Sequence, residues 1–203
     1  EALMANVALR LGGQPYPYGS VDAFLTSLFA MALAEFGDRP QILAAALAMR
    51  YGRVSPVIWG LGLATLCNCM ISSSAGSLVN QWISEEPLRL FYALSLLFAG
   101  IGMIGWRRPT DLLQDWNLGP FWTSFLGLFI LQFGDKGQFI LAATAARTGM
   151  GTYAAVGGWI GVMIACVPAI LLQRRLAEVV PVRALRMIGG TAFLLMGGIL
   201  ALS

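Results

Sequence analysis

The chain has 203 residues, of which 58% are hydrophobic and 11% are charged, and its mean hydropathy is +0.73. Soluble domains are about half apolar, so this composition argues against a soluble domain and predicts an integral membrane protein. The formal net charge is +3, but the basic residues are scattered between apolar runs, so we interpret them as topology signals and not as a nucleic-acid-binding surface.

Six apolar stretches follow an N-terminal extension at 1–20, which is rich in Pro and Gly, buries little and is compatible with an expression-vector origin. At a rise of about 1.5 Å per residue, each stretch is long enough to cross a hydrocarbon core of about 30 Å. The sequence therefore predicts an all-α integral membrane protein with six transmembrane helices. The predicted spans are 21–49, 57–79, 88–106, 121–146, 153–172 and 184–202.

A short charged motif occurs twice, each time inside a predicted span. It reads EFGDRPQ at 35–41 and QFGDKGQ at 132–138, a constant 97 positions later. Between 35–52 and 132–149, nine of eighteen aligned residues are identical. Self-similarity of this kind indicates an internal duplication. We expect two three-helix repeats, at 21–106 and 120–203, joined by a charged cytoplasmic linker at 107–119.

The odd number of spans in each repeat determines how the repeats are related. After three crossings the chain is on the opposite side of the membrane, so the second repeat must be inverted relative to the first. With loops on alternating sides, one face collects eight arginines and the other three, so we expect the richer face to be cytoplasmic and both termini to lie outside. The two sets are Arg50, Arg53, Arg107, Arg108, Arg174, Arg175, Arg183 and Arg186, against Arg10, Arg89 and Arg147.

The polar residues of each motif are spaced at i, i+3 and i+6, which places them along one slanting face of a helix. A charge at mid-bilayer costs about 2.5–3.5 kcal/mol on insertion scales, so such groups normally face a bundle interior or water and mark a pathway. Pro40 lacks a backbone donor and clashes with the preceding turn, so we expect the first helix to be broken or kinked there. A break also frees carbonyl oxygens to line a cavity.

Brought together about a pseudo-twofold axis, the two motifs would form a binding site made only of oxygen atoms. Such a site suits Ca²⁺, Mn²⁺ or Mg²⁺ and argues against Cu⁺ or a thiolate zinc site. Carboxylates clustered in a low dielectric also hold protons, so a cation and H⁺ would compete for the same oxygens, which is the physical basis of antiport. The candidate metal ligands are Glu35, Asp38, Gln41, Gln132, Asp135 and Gln138.

Structural explanations compete with this interpretation. In one alternative, Arg39 and Lys136 neutralise Asp38 and Asp135 as buried ion pairs, and the motif is a structural clasp. In another, the two basic side chains extend to the membrane–water interface and leave the acids unpaired. The glutamine amides serve interhelical hydrogen bonding as readily as ligation. Similarly, Asn68 and the serines at 72–74 either mediate helix contacts or line a path.

Other residue types narrow the chemistry. The chain has no histidine, which excludes His-ligated metals, Ser-His and Cys-His catalysis and histidine proton relays. Cys67, Cys69 and Cys166 lie within predicted spans without zinc-finger spacing, so we expect them to pack as small apolar groups. The many span glycines are expected to allow close helix packing. No nucleophile-and-base pair or metalloprotease motif is present, so we expect neither an enzyme nor a cofactor.

The repeated motif resembles the signature E-x-G-D-[KR]-[ST] of the UPF0016 family, also called the GDT1/TMEM165 family. The stretches Glu35-Phe36-Gly37-Asp38-Arg39 and Gly134-Asp135-Lys136 carry the resemblance, which extends over both halves from about residue 21 to the end. It implies a transporter of Mn²⁺ and Ca²⁺ that exchanges the ion for protons, with the acidic motif residues as the binding site.

The chain departs from the family pattern in three places. Gln132 stands where a second Glu is expected, and Pro40 and Gly137 occupy the hydroxyl positions. The motifs therefore carry three acids against two bases. These departures bear on ion identity and proton stoichiometry, and not on the fold.

We therefore expect a secondary transporter of a bacterial inner membrane that exports a divalent cation, Mn²⁺ first and Ca²⁺ next, in exchange for H⁺ at a midplane site. The cation and the proton are its substrates. A passive cation channel and a non-transporting membrane scaffold are the alternatives, and a homodimer is left open.

Overall fold

The computed structural model describes residues 19–105, 109–173 and 181–202, and every regular element in these ranges is a helix. The described helices are α1 (Gly19–Glu35), α2 (Arg39–Tyr51), α3 (Val54–Trp82), α4 (Glu85–Ile104), α5 (Gly119–Gln132), α6 (Lys136–Thr148), α7 (Gly151–Leu172) and α8 (Val182–Leu202).

Helices α3, α4, α7 and α8 are each long and apolar enough to cross a membrane alone. The pair α1 and α2 is bent by 65° at a short break, the pair α5 and α6 is bent by 67°, and each pair is long and apolar enough as one unit. Counted in this way, the described part of the chain has the six predicted spans, and the prediction of an all-α membrane protein is confirmed. Most helix ends extend two or three residues beyond the predicted bounds, and Trp106, the predicted end of the third span, lies outside the described residues.

The two breaks share one backbone geometry because a glycine in the left-handed region lies in each. Gly37 has a φ of 69° and Gly134 a φ of 74°, a conformation that glycine adopts without the steric cost of a Cβ atom. The break predicted at Pro40 is confirmed, but Pro40 lies in the first turn of α2, where its missing N–H removes no helical hydrogen bond. Gly137 occupies the equivalent position in α6, so the second break forms without a proline.

Contacts between helices recur in pairs related by the 97-residue offset. A Cβ atom at Gly60 would collide with the carbonyl oxygen of Phe121, and one at Gly157 would collide with that of Phe24. Residues 60 and 157 are 97 apart, and so are residues 24 and 121. The crossing of α3 and α5 therefore repeats the crossing of α7 and α1.

The same relation holds between α4 and α8, which pack closely against each other. Gly100 lies against the backbone of Gly190, and Gly197 lies against the backbone of Ala93, again at the 97-residue offset. The expectation that span glycines allow close packing is confirmed at these positions. It is wrong at Gly198, where a Cβ atom would meet nothing within 4 Å.

The hydrophobic core is divided between two groups of helices. One cluster joins α1, α2 and α3 to α5, α6 and α7, and it contains Cys69 and Cys166. A second cluster attaches α4 and α8 through α1 and α6. All three cysteines are free, and the packing role expected of these two buried thiols is confirmed.

The beginning of α8 corrects one part of the topology argument. Arg183 and Arg186, counted above as loop charges, both lie within the helix, which begins at Val182. Arg186 is only 6% exposed, so it belongs to the helix packing and is not a loop charge. Arg174 and Arg175 lie outside the described residues.

The described part of the linker, at 109–118, contacts both α2 and α5. The Arg50 guanidinium donates to the carbonyl oxygens of Leu113 at 2.5 Å and Trp116 at 2.9 Å. The Leu113 side chain lies against Gly127, where a Cβ atom would collide with it. The linker therefore covers one end of the first broken helix.

Candidate cation site

The two breaks bring the charged residues of the two motifs together, and the ion pairs cross between the repeats. Lys136 of the second motif pairs with Asp38 of the first. Arg39 of the first motif lies 3.4 Å from the carboxylate of Asp135 in the second, and Lys136 also lies 3.4 Å from Asp135. The side chains of both aspartates are 14% exposed and that of Lys136 is 5% exposed. The motifs thus form a single buried charge cluster.

Each aspartate stands at the start of a half-helix. Asp38 is the N-cap of α2 and Asp135 is the N-cap of α6, both with extended backbone and without a side-chain cap hydrogen bond. The Asp38 carboxylate pairs with Lys136 of the other motif, and the Asp135 carboxylate lies between Arg39 of the other motif and Lys136 of its own. The positive end of each helix dipole favours negative charge at this point. Each break therefore provides a helix N-terminus that stabilises a buried aspartate.

The two motif glutamines hold the broken turns in place. The side-chain oxygen of Gln41 accepts the backbone N–H of Gly37 at 2.7 Å, and that of Gln138 accepts the N–H of Gly134 at 2.9 Å. These hydrogen bonds satisfy backbone donors that the breaks leave without a helical partner. The geometry therefore gives Gln41 and Gln138 the same positioning role in both motifs.

The amide nitrogens of these glutamines connect the breaks to the long helices. Gln41 donates to the carbonyl oxygen of Ala165 in α7 at 2.6 Å, and Gln138 donates to the side-chain oxygen of Asn68 in α3 at 2.7 Å. Positions 68 and 165 are again 97 apart. The partner is a backbone group on one side and a polar side chain on the other, so the repeats differ here in chemistry.

A cavity of about 20 Å³ lies beside the charge cluster. A cavity of at least about 10–15 Å³ can hold one water molecule, so one water-sized group or one small cation fits. Polar side chains dominate the wall on the side of α3. The lining residues are Met31, Glu35, Thr65, Asn68, Cys69, Ser72, Gln132, Asp135, Gly137, Gln138, Leu141 and Val162.

Glu35 is the most enclosed acid at this cavity. It is 2% exposed, and its Oε2 atom has no hydrogen-bond partner among the described residues. Its Oε1 atom lies 3.3 Å from the point where a Cβ atom of Gly137 would lie. A buried carboxylate oxygen without a donor is unfavourable unless a proton or a cation binds it. Glu35 therefore has a free coordination position.

Gln132, which replaces the expected second glutamate, is held by α3. Its side-chain oxygen accepts from Thr65 at 3.3 Å and from Asn68 at 3.5 Å, and its nitrogen donates to Thr65 at 3.2 Å. The amide thus faces neutral donors and acceptors, where a carboxylate would add a further charge. The replacement lowers the negative charge of the cavity by one.

Four of the six candidate ligands line this cavity, namely Glu35, Gln132, Asp135 and Gln138, whereas Asp38 and Gln41 do not. Among the described residues, no three acidic or thiol side chains are grouped as a metal-binding cluster. The ammonium group of Lys136 instead lies among these acids, where it pairs with Asp38 and lies 3.4 Å from Asp135. This basic residue occupies the position of a cation within the acid cluster.

The sequence interpretation missed one wall of the cavity. Thr65, Asn68 and Ser72 lie at i, i+3 and i+7 on α3, so their side chains share one helix face. This polar stripe was visible in the sequence, but only Asn68 and the serines were noted, with two roles left open. The equivalent residues of α7, 97 positions later, are Val162, Ala165 and Ala169. Polar lining from the long helices is therefore present in one repeat only.

Arg186 is the second residue that the sequence interpretation missed. From α8, its guanidinium donates to the carbonyl oxygen of Gly37 at 2.8 Å and to that of Met103, at the end of α4, at 2.8 and 3.2 Å. It thus connects the first broken turn to both outer helices. Its position near the start of a span made it appear to be an ordinary loop charge.

The structure also bears on the competing explanations. The aspartates are paired, as a structural clasp requires, and Lys136 does not extend to an interface. However, the pairs join the two repeats, and they lie next to a cavity with an unpaired carboxylate oxygen. A clasp explains the ion pairs but leaves the buried Glu35 unexplained.

Comparison with known proteins identifies relatives of the chain. The sequence profile described as "Divalent cation/proton antiporter GDT1" matches residues 23–109 and 120–203. A protein of Vibrio cholerae described as "Putative manganese exporter" is 32% identical over 175 residues, which cover 84% of this chain and 86% of the relative. "GDT1-like protein 4" of Oryza sativa subsp. indica is 27% identical over 209 residues, covering 87% of this chain and 72% of the relative.

No solved structure gives a significant match to the chain. The family profile covers both halves of the chain and leaves out only the N-terminal residues and part of the linker. The family consists of transporters and not of enzymes. The chain therefore belongs to the GDT1 family of divalent cation/proton antiporters, and the resemblance seen in the repeated motif is confirmed.

Proposed function

We propose that this protein exports Mn²⁺, and Ca²⁺ with lower preference, in exchange for H⁺ across a bacterial inner membrane. The observation that carries the proposal is the small cavity between the two breaks, whose lining includes the carboxyl groups of Glu35 and Asp135 together with amide and hydroxyl side chains. Two carboxylates balance the charge of one divalent cation. The name of the Vibrio cholerae relative supports manganese as the substrate.

The donor set supports a hard divalent cation. The cavity offers carboxylate oxygens from Glu35 and Asp135, amide oxygens from Asn68 and Gln132, and hydroxyl groups on α3. Oxygen ligands of this type suit Mn²⁺, Mg²⁺ and Ca²⁺. Ca²⁺, which binds six to eight oxygens at about 2.3–2.6 Å, is the second candidate substrate.

The site is proposed to hold one cation per chain. Thr65, Asn68 and Ser72 complete the ligand shell on the side of α3, and the equivalent positions on α7 carry only apolar side chains. A second, symmetric site built around Gln132 would lack both the carboxylate and these polar groups. The asymmetry of the repeats thus supports a stoichiometry of one.

Lys136 is proposed to alternate with the transported cation. Its ammonium group neutralises Asp38 and Asp135 when no ion is bound. A divalent cation that binds Asp135 must displace this ammonium group, because the two positive charges repel each other in a low dielectric. Asp38 then retains Lys136 while Asp135 and Glu35 hold the ion. Asp38 thus acts on the ion indirectly, through Lys136.

Glu35 is proposed to exchange the ion for a proton. Its unpartnered oxygen requires either a cation or a proton in this buried position. When the cavity opens to the side with more protons, a proton replaces the cation on the same oxygen. Export of the ion is then coupled to inward movement of H⁺.

The test is Mn²⁺ flux into proteoliposomes containing the purified protein, with and without an imposed pH gradient. We expect the gradient to drive Mn²⁺ movement, and we expect Asp38→Asn and Asp135→Asn to abolish it while the protein still folds. Asp22→Asn is the matched control, since Asp22 is exposed and pairs with Arg147 on the protein surface. Flux that ignores the gradient would identify a channel, and wild-type flux in the aspartate variants would remove those residues from the mechanism.

The orientation belongs to the proposal as well. The arginine-rich face, which carries the linker, is placed in the cytoplasm and both termini outside. Thiol labelling of single cysteines introduced near residue 110 and at residue 202 in intact cells tests this. If an impermeant reagent labels the cysteine near residue 110, the orientation is opposite to the one proposed, and so is the direction of transport.

A further inference from the structure

Arg186 places a positive charge inside an apolar helix. It lies in the second turn of α8 and is 6% exposed, and its guanidinium bridges the carbonyl oxygens of Gly37 and Met103. A carbonyl oxygen at a helix break has lost its helical donor, so a charged donor satisfies it well. The side chain also covers Gly37, where a Cβ atom would meet the Arg186 Cδ at 2.9 Å.

The other repeat contains the same components in a different arrangement. Ninety-seven positions earlier, Arg89 occupies the place of Arg186, on α4. The break residue equivalent to Gly37 is Gly134, which is exposed and has nothing within 4 Å of a Cβ position. Arg89 is also exposed, and no hydrogen bond or ion pair joins it to the described ranges. The broken turn of the first repeat is therefore held by an arginine of α8, whereas that of the second repeat is not held by the equivalent arginine of α4.

The packing of the outer helices shows the same difference. α4 packs against the half-helix α6, where the rings of Phe98 and Phe139 meet edge to face at 5.5 Å. By the 97-residue offset, α8 would pack against α2 through Leu195 and Ile42. In the described residues α8 makes at most marginal contact with α2. The two repeats are thus in two different conformations.

We propose that Arg186 is a positioning residue of the transport cycle, which latches the first broken turn in one state, and that Arg89 latches the second broken turn in the opposite state. The proposal rests on the proposed function, because it assumes alternating access. In transporters built from inverted repeats, alternating access is largely rocking or gating of one repeat against the other, and exchange of the two arrangements between the repeats would supply such a motion. After this exchange, Arg89 would donate to the carbonyl oxygen of Gly134 while Arg186 is released and α8 packs on α2.

The latch acts on the broken turn and not on the ion. Gly37 lies directly before Asp38, and the Gly37 N–H is held by Gln41. Fixing the Gly37 carbonyl therefore restrains the backbone from which the Asp38 side chain reaches Lys136. Release of the latch would allow this turn to move while the other turn is fixed.

The test uses two cysteine pairs in the full chain, in membranes, with Cys67 replaced by alanine and a short thiol-to-thiol cross-linker. The pair Phe98→Cys with Phe139→Cys reports the state seen here, and Ile42→Cys with Leu195→Cys reports the exchanged state. Arg186→Gln should raise the ratio of the second cross-link to the first by about tenfold or more, as expected for the loss of a charged hydrogen bond. Arg89→Gln should lower this ratio.

Arg183→Gln is the matched control, because Arg183 lies on the same turns of α8 but is exposed. It should leave the ratio unchanged. Arg186→Lys keeps one charged donor and should restore part of the wild-type ratio, which a general packing defect would not allow. If Arg186→Gln does not fold, the exposed Arg89→Gln still tests the proposal by the opposite shift.

Two results would overturn the proposal: shifts of the same sign in the Arg186 and Arg89 variants, or no Ile42–Leu195 cross-link under any condition. The assay does not depend on ion flux. Opposite shifts in a protein that moves no Mn²⁺ would support alternation between two latched states and refute Mn²⁺ as the transported ion.

Discussion

Replacement of Lys136 by methionine tests whether the acid cluster is built for a cation. Methionine keeps most of the length and volume of the lysine side chain but lacks the terminal ammonium group and its charge. Asp38 and Asp135 would then remain buried without their shared partner. The cluster would have a vacancy for a positive charge, which only a bound cation or added protons can fill.

The size of the effect follows from the geometry. At 3.4 Å and an effective dielectric constant of about 20, the Lys136–Asp135 attraction is about 5 kcal/mol before desolvation is subtracted. Removal of one partner from a buried ion pair destabilises proteins by about 3–5 kcal/mol. A ligand at about 100 times its Kd restores about 2.7 kcal/mol. Lys136→Met should therefore be strongly destabilised without ions and largely rescued by Mn²⁺.

The assay is thermal unfolding of the purified protein in detergent, with and without Mn²⁺. The Mn²⁺-dependent rise in the unfolding midpoint should be larger in Lys136→Met than in the wild type, where the ion must displace the ammonium group. Arg147→Met is the control, because the Arg147–Asp22 pair is exposed and worth about 0–1 kcal/mol. A Lys136→Met protein that gains no more from Mn²⁺ than the wild type would refute the reasoning.

Three further changes probe the cavity and the packing around it. Glu35→Gln should weaken the pH dependence of Mn²⁺ transport more than it lowers expression, and an unchanged pH profile in liposomes would show that Glu35 does not carry the proton. Gly137→Ser should add a hydroxyl oxygen beside Glu35 and tighten Mn²⁺ binding severalfold in an equilibrium titration. The new side chain can fit because the nearest atom, 3.0 Å from its Cβ, is the flexible end of a methionine side chain. Weaker Mn²⁺ binding would contradict this. Gly157→Val should lower the thermal stability by at least about 1–3 kcal/mol because its side chain collides with the α1 backbone, whereas Gly198→Val should be neutral. Equal stability of the two glycine variants would argue against the close crossing of α7 and α1.

The duplicated motif predicted the fold because it combines two independent signals. The lengths of the apolar stretches predicted the number of spans. The 97-residue offset between Asp38 and Asp135 predicted two related halves, and helix crossings at the same offset do recur in pairs. The proline argument was less general, since it explained the first break only. The shared cause of both breaks is the left-handed glycine, at Gly37 and Gly134, and single glycines are too common in membrane helices to identify a break.

Partner choice was the part of the site that the sequence did not determine. Arg39 and Lys136 each follow an aspartate, so the sequence was compatible with pairs inside each motif, pairs between motifs or no pairs. Only the packing of the half-helices decides this, and it places Lys136 between both repeats. Arg186 was hidden for the same reason. Whether a basic residue near a span end lies in water or bridges two carbonyl oxygens depends on the neighbouring helices.

The most direct test of the central claim is the number of protons released when Mn²⁺ binds to the purified protein in weakly buffered detergent solution. We expect one Mn²⁺ to bind per chain with release of protons to the solution, and we expect both the binding and the release to be lost in Asp135→Asn. Mn²⁺ binding without any proton release, or unchanged binding in Asp135→Asn, would contradict it.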